Sequence, residues 1–207
     1  MKVLLVNGSS RKNGCTNAAL AEIAATLENE GVDSEILWLG AEPIQDCVAC
    51  GGCGRSSVCV IRGDAVERLV EKAKGSDGFV FGTPVYYAHP SGRILSALDR
   101  AFYSGGGVFA HKPAAAVASA RRAGTTASLD VLNKYFTIAQ MPVVSSTYWN
   151  MVHGAKAEDV AQDLEGLQSM RNLARNMAWL LKCIELGKQS GITAPEAEKS
   201  FRTNFIR

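Results

Sequence analysis

No apolar run in this sequence is long enough to cross a bilayer, and the opening MKVLLVNGSS leaves its apolar stretch after about five residues at a polar turn, too soon for an export signal. A cytoplasmic protein with no membrane partner is the expectation. Charge of one sign is also scarce. With 22 Lys and Arg against 20 Asp and Glu, the formal net charge is +2, too little to draw in a polyanion, so nucleic acid is not an expected partner. Histidine occurs three times, with no HxxxH spacing and no carboxylate pattern beside it that would define a metal site. Neither GxxxxGK[ST] nor GxGxxG occurs, which disfavours a Walker nucleotide loop and the common dinucleotide fingerprint. No internal repeat or low-complexity tract is visible.

What the sequence does have is alternation. Short β-branched or apolar runs bounded by Gly, Asn or Pro give way to longer amphipathic stretches of helical period, the pattern of parallel βαβ units. Strands are predicted at Lys2–Val6, Ser34–Trp38, Gly78–Gly82, Pro113–Ala118 and Pro142–Ser146. Helices are predicted at Thr16–Asn29, from a cap at Asp64 to about Lys74, at Ser91–Tyr103, at Thr125–Gln140 and at Val160–Leu186. Right-handed crossovers then favour an α/β three-layer sandwich with a five-stranded parallel sheet in the doubly wound order 2-1-3-4-5. One domain is expected over residues 1–187, followed by a C-terminal extension, 188–207.

Ligands of such sheets sit beyond the carboxyl ends of the strands. After strand one, Asn7 to Asn17 meets the start of a helix, where backbone N–H groups lack partners and the helix dipole is positive. Ser9, Thr16, Asn13 and Asn17 offer hydroxyl and amide donors there, Arg11 adds a cation, and Gly8 and Gly14 let the backbone curl. The segment suits a phosphate monoester held without metal, and equally a polar turn in which Thr16 caps the helix. Cys15 takes a small-residue position in it, where the helix start would lower a thiol pKa. After strand three, Pro84, Val85, Tyr86 and Tyr87 combine a rigid turn with two aromatic rings, fit to wall a flat ring such as a flavin or to stand as ordinary loop aromatics. After strand four, Ala120, Arg121, Arg122 and Gly124 bring cations that would answer negative charge on a reduced flavin, bind a nicotinamide dinucleotide phosphate, or lie in solvent. Tyr148 to Met151 is a further candidate wall, or core and subunit contacts.

Six cysteines are present, and four of them, Cys47, Cys50, Cys53 and Cys59, fall as C-x2-C-x2-C-x5-C among glycines. Three thiolates at two-residue gaps can reach three corners of a [4Fe–4S] cubane, and Cys59 can close the fourth. Free or redox-active thiols, structural zinc and disulfides are the other readings of the same run.

On GSSRKNGCTN, the Cys-rich loop, TPVYYAHPSGRILSALDR and SARRAGTT, the chain resembles the NADPH-dependent FMN reductases of the flavodoxin-like superfamily and the iron-sulfur flavoproteins among them. The resemblance covers roughly residues 1–150. It implies that Ser9, Arg11, Asn13, Thr16 and Asn17 grip the FMN phosphate, that Pro84 to Tyr87 take the ring, and that Ala120 to Gly124 take its pyrimidine side. It also implies NAD(P)H as donor, a small-molecule or protein electron acceptor, and a homodimer or homotetramer with the flavin near a subunit boundary. In its iron-sulfur flavoproteins electrons pass between cluster and FMN.

Overall fold

Of the chain, a computed structural model describes residues 1–201 together with Thr203 and Phe205. Strand β1 (Lys2–Asn7) is buried from Val3 onward because it is covered on both faces: Leu4 and Val6 point to one side, Val3 and Leu5 to the other. Strands β3 (Gly78–Tyr86) and β5 (Ala114–Ala120) lie beyond it, and β2 (Asp33–Trp38) and β6 (Met151–His153) form the margins. All five run parallel in the order β2-β1-β3-β5-β6, the flavodoxin-like order read from the sequence. The two-residue β4 (His89–Pro90) folds back antiparallel on the end of β3.

One face of the sheet is covered by α1 (Cys15–Asn29) and α7 (Leu164–Gln189), through Leu20, Ile23, Leu27, Leu173 and Met177. The other is covered by α3 (Ala65–Lys74), α4 (Gly92–Phe109) and α5 (Thr125–Ile138), through Leu69, Ile94, Leu98, Phe109 and Phe136. The short α2 (Cys53–Ser56) and α6 (Ala157–Val160) lie in connections. No helix among the described residues is long and apolar enough to cross a membrane.

Several elements depart from the sequence reading, among them β3, which runs past Gly82 to Tyr86. The strand expected at Pro142–Ser146 only grazes the sheet: Ala114 N–H donates to Pro142 O at 2.9 Å, Val144 N–H donates to Ala114 O at 2.8 Å, and the chain then leaves. Ser146 Oγ donates to Tyr148 O at 2.6 Å, a local turn that competes with the ladder, and pairing resumes only at Met151. Helix α4 continues past Tyr103 through three glycines, kinked at Gly105, because Phe109 is fully buried and stacks on Phe102 with ring centroids 4.4 Å apart. Packing there outweighs the poor helix propensity of glycine. The terminal helix is split into α6 and α7 by Asp163, whose carboxylate accepts from Gly166 N–H at 2.9 Å and His153 N–H at 2.7 Å. Finally, α2 and β4 carry too few residues to show a period. Of the expected extension, positions 202, 204, 206 and 207 lie outside the described residues, and 191–201 form no helix or strand.

Candidate functional site

The loop after β1 is held from within. Asn7, fully buried, accepts Ser9 N–H on Oδ1 at 3.0 Å and donates from Nδ2 to Lys12 O at 3.1 Å and Asn17 Oδ1 at 3.3 Å. Ser9 Oγ accepts Arg11 N–H at 3.1 Å, and the indole N–H of Trp38 donates to Ser9 O at 2.8 Å. Gly8 N–H donates to Gly82 O at 2.9 Å, and a Cβ on Gly8 would stand 2.8 Å from Ile94 Cβ, so only glycine allows this approach between the β1 and β3 ends. Helix α1 then starts at Gly14 without a side-chain cap. In the first turn the N–H groups of Thr16 and Asn17 have no acceptor among the described residues, and that of Cys15 meets only its own sulfur. Thr16 does not cap: its buried hydroxyl bonds Ser119 Oγ at the end of β5, 2.8 Å away.

These first-turn groups open into a cavity of about 260 Å³ bounded by the β1, β3, β5 and β6 loops. Of the residues singled out in the sequence, Ser9, Arg11, Cys15, Thr16, Pro84, Val85, Tyr86, Ala120 and Arg121 line it. Asn13, Asn17, Tyr87, Arg122 and Gly124 do not. Asn17 braces Asn7, while Asn13 and Arg122 are exposed. Tyr87 sits fully exposed at a left-handed φ of 62°. Gly124, at φ 92°, lets α5 begin where a Cβ would stand 2.7 Å from Val85. The sequence reading missed Gly154, Ala155 and Lys156, which line the same cavity from the loop after β6. That strand was placed too early, so its carboxyl end pointed elsewhere.

Arg11, Arg121 and Lys156 line the cavity and no carboxylate among the described residues does, although Asp159 and Glu158 lie close enough behind it to act on Cys15. Burial, with the charges of Asp159 and Glu158 behind it, pushes the Cys15 thiol above its ordinary value, more than the hydrogen bond from its own N–H and the charge of Arg11 lower it. The helix start therefore does not activate it, and Cys15 Sγ donates to Gly154 O at 3.4 Å. Burial alone would raise the Tyr86 hydroxyl. Its hydrogen bonds to the serine pair at Ser9 and Ser10 and the charge of Arg11 outweigh that and leave it below its ordinary value. The Ser10 Oγ to Tyr86 Oη contact, 2.7 Å, ties the loop after β1 to the end of β3.

Residues 1–156 match the family described as NADPH-dependent FMN reductase. The chain belongs to that family. It is 28% identical over 193 residues to an iron-sulfur flavoprotein of Methanocaldococcus jannaschii, covering 89% of this chain and 100% of that protein. It is 31% identical over 137 residues to an NADPH azoreductase of a Bacillus species, covering 64% and 65%. A solved flavodoxin from the domain Archaea superposes with a TM-score of 0.58 at 15% identity, over 88% of this chain and 99% of that one, a likeness of fold. This FMN-reductase family member is thus an NAD(P)H-dependent flavin oxidoreductase, with a nicotinamide donor and a small acceptor.

A second cavity of this FMN-reductase chain, about 230 Å³, shares no lining residue with the first. Cys47, Cys50, Cys53 and Cys59 all line it as free thiols, with Val48, Ile61, Arg100 and Tyr103 among their neighbours. Left-handed turns at Ala49, Gly51 and Ser57 curl the backbone around it. No three metal-ligating side chains among the described residues stand close enough together to hold an ion as they are. Four thiols on one largely apolar wall are nevertheless the donor set of an iron-sulfur centre.

Proposed function

We propose that the cavity between the β1, β3, β5 and β6 loops holds FMN with its phosphate at the start of α1, and that the chain passes reducing equivalents from NAD(P)H to a small acceptor such as a quinone, a nitro or azo compound, a metal ion or free flavin. The observation that carries this is an uncapped helix start opening on a cavity lined by three cations and no carboxylate. Bound FMN supplies the hydride chemistry. The tasks left to the chain are to bind and orient. The first-turn N–H groups of α1, Ser9 and Arg11 offset the phosphate charge. Pro84, Val85 and Tyr86 wall the ring, and Arg121 and Lys156 supply positive charge to the rest of the site. No side chain need act as acid or base for hydride transfer. Asn13, Asn17, Tyr87, Arg122 and Gly124 would then serve the same site by bracing or covering it.

The test is a titration of purified protein with FMN followed by flavin fluorescence, and then NADPH oxidation against a panel of those acceptors. One flavin per chain and turnover with at least one acceptor are expected. A colourless protein that does not retain added FMN overturns the reading.

A second reading is favoured by the four thiols on one cavity wall. Cys47, Cys50, Cys53 and Cys59 would hold a [4Fe–4S] cluster, which supplies one-electron transfer to a protein partner. Iron and acid-labile sulfide are measured after anaerobic purification, and an iron-free protein that oxidises NADPH rapidly sinks this reading alone. Assembly as a homodimer or homotetramer is part of the proposal, with the exposed rings of Tyr87, Tyr148 and Trp149 as surface for a second copy to cover. Sedimentation of a monomer would refute it.

A further inference from the structure

Arg100 heads the fully buried side chains of the protein by size, at 1% exposure, on a face of α4 otherwise built from Ile94, Ala97, Leu98 and Ala101. A buried guanidinium is tolerated only when its donors are used. Here Nη1 bonds the Asp64 carboxylate and donates to Gln45 O at 3.2 Å, Nη2 donates to Ile61 O at 2.9 Å, and Nε donates to Cys59 Sγ at 3.4 Å. Gln45 stands just before the first clustered cysteine, Ile61 just after the last, and Asp64 caps α3 with bonds from Val66 and Glu67 N–H. One planar fork therefore gathers both ends of the cysteine loop, the start of the next helix and one sulfur onto α4. Inside the loop the backbone bonds are local, as from Arg55 N–H to Gly52 O at 3.2 Å and from Ser57 N–H to Cys53 O at 2.8 Å, and none ties its ends together.

We infer that Arg100 is the positioning residue of the cysteine centre: it closes the 45–61 loop so that the four thiols face one cavity before any metal arrives, and it keeps an N–H on the Cys59 sulfur once the centre is loaded. The inference rests on the iron-sulfur reading above. A hydrogen bond to a ligand sulfur stabilises the more reduced, more negative state of such a centre, so its loss lowers the reduction potential. The geometry asks for arginine. A lysine offers one nitrogen and cannot reach Asp64, Gln45, Ile61 and Cys59 together.

The experiment compares wild type, Arg100→Met and Asp64→Asn. For Arg100→Met the expectations are a several-fold loss of iron per chain after anaerobic reconstitution, a lower midpoint potential in the fraction that loads, and at least tenfold faster amide hydrogen exchange across 45–61 in the iron-free protein, with FMN binding retained. Asp64→Asn keeps a helix cap and the Arg100 donors to Cys59, Gln45 and Ile61. It is expected to lower the melting temperature while iron content and potential stay near wild type. Should Arg100→Met fail to fold, Arg100→Lys carries the same three readouts. An Arg100 variant with wild-type iron, potential and exchange overturns the inference, as does Asp64→Asn losing iron as fully as Arg100→Met, which would make the pair a mere helix anchor. If wild type takes up no iron, the cluster reading fails by itself, and the exchange measurement alone decides whether Arg100 closes the loop.

Discussion

The loops that follow β1 and β2 leave neighbouring strands, and each borders its own cavity. Between Asn7 and Asn17, Asn7, Ser9 and Thr16 turn inward, almost wholly buried and hydrogen-bonded, while Arg11, Lys12 and Asn13 stay exposed. From Gln45 to Ile61 hardly any side chain is buried, and the loop is held at its ends by Arg100 from another element. The first is held in place by its own hydrogen bonds, so a ligand there would cost little ordering. The second places four thiols on one wall without bringing three of them close enough to hold an ion as they are.

Independence of the two loops is tested most severely by Cys50→Ser. Iron is expected to fall to near zero while FMN retention is unchanged, measured on one sample by iron analysis and flavin absorbance. Equal loss of flavin would merge the two sites. Next, Gly8→Ala pushes a Cβ to 2.8 Å from Ile94 and 2.9 Å from Gly82 O. Overpacking of this kind costs roughly 1–3 kcal/mol, and a melting curve with and without FMN should show both lower stability and a smaller flavin-induced shift. Asn7→Ala leaves Ser9 N–H and Lys12 O without their partner, a loss of about 1–2 kcal/mol that is expected to show as weakened FMN binding and not as lost iron.

On the proposed site, Arg11→Ala would remove one charge-assisted contact to the FMN phosphate, about 1.4 kcal/mol or roughly tenfold in the FMN dissociation constant. Riboflavin, which has no phosphate, should bind this variant and wild type alike, and an equal loss for both ligands would move the phosphate elsewhere. The smallest effect concerns the amino-end half of the same two strands, away from both loops, where Lys2 and Lys72 pair with Glu35 across β1, β2 and α3. Their hydrogen bonds hold the Glu35 carboxyl below its ordinary value of 4.5. A depressed carboxyl stabilises the fold fully above its unfolded pKa and loses that contribution as pH falls through the folded one. Glu35→Gln should therefore lower stability at neutral pH by less than about 1 kcal/mol, and the gap from wild type should close in an acid titration below pH 4.5.

The sheet was legible because strands buried on both faces read as unbroken apolar runs, as VLLV and FVFG do here, and because strand-helix alternation admits few topologies. That Ser9, Arg11, Cys15 and Thr16 share a cavity was legible because they are near neighbours in the loop after β1. The strand near residue 145 was misplaced because Val143 and Val144 satisfy the local pattern while Ser146 diverts the chain with a side-chain bond that no periodicity records. Lys156 stayed hidden as a consequence, and Arg100 because one charge in an amphipathic helix reads as exposed.

The amino-acid order alone determined the parallel sheet, the uncapped start of α1 and the grouping of four thiols, since each depends on neighbours within a few residues. Only the tertiary structure decided which side chains share a cavity, that Thr16 serves Ser119 and not the helix start, and that Arg100 reaches across to Gln45, Cys59, Ile61 and Asp64. Those outcomes rest on burial and long-range distance, which the packing of distant segments sets and local sequence does not contain.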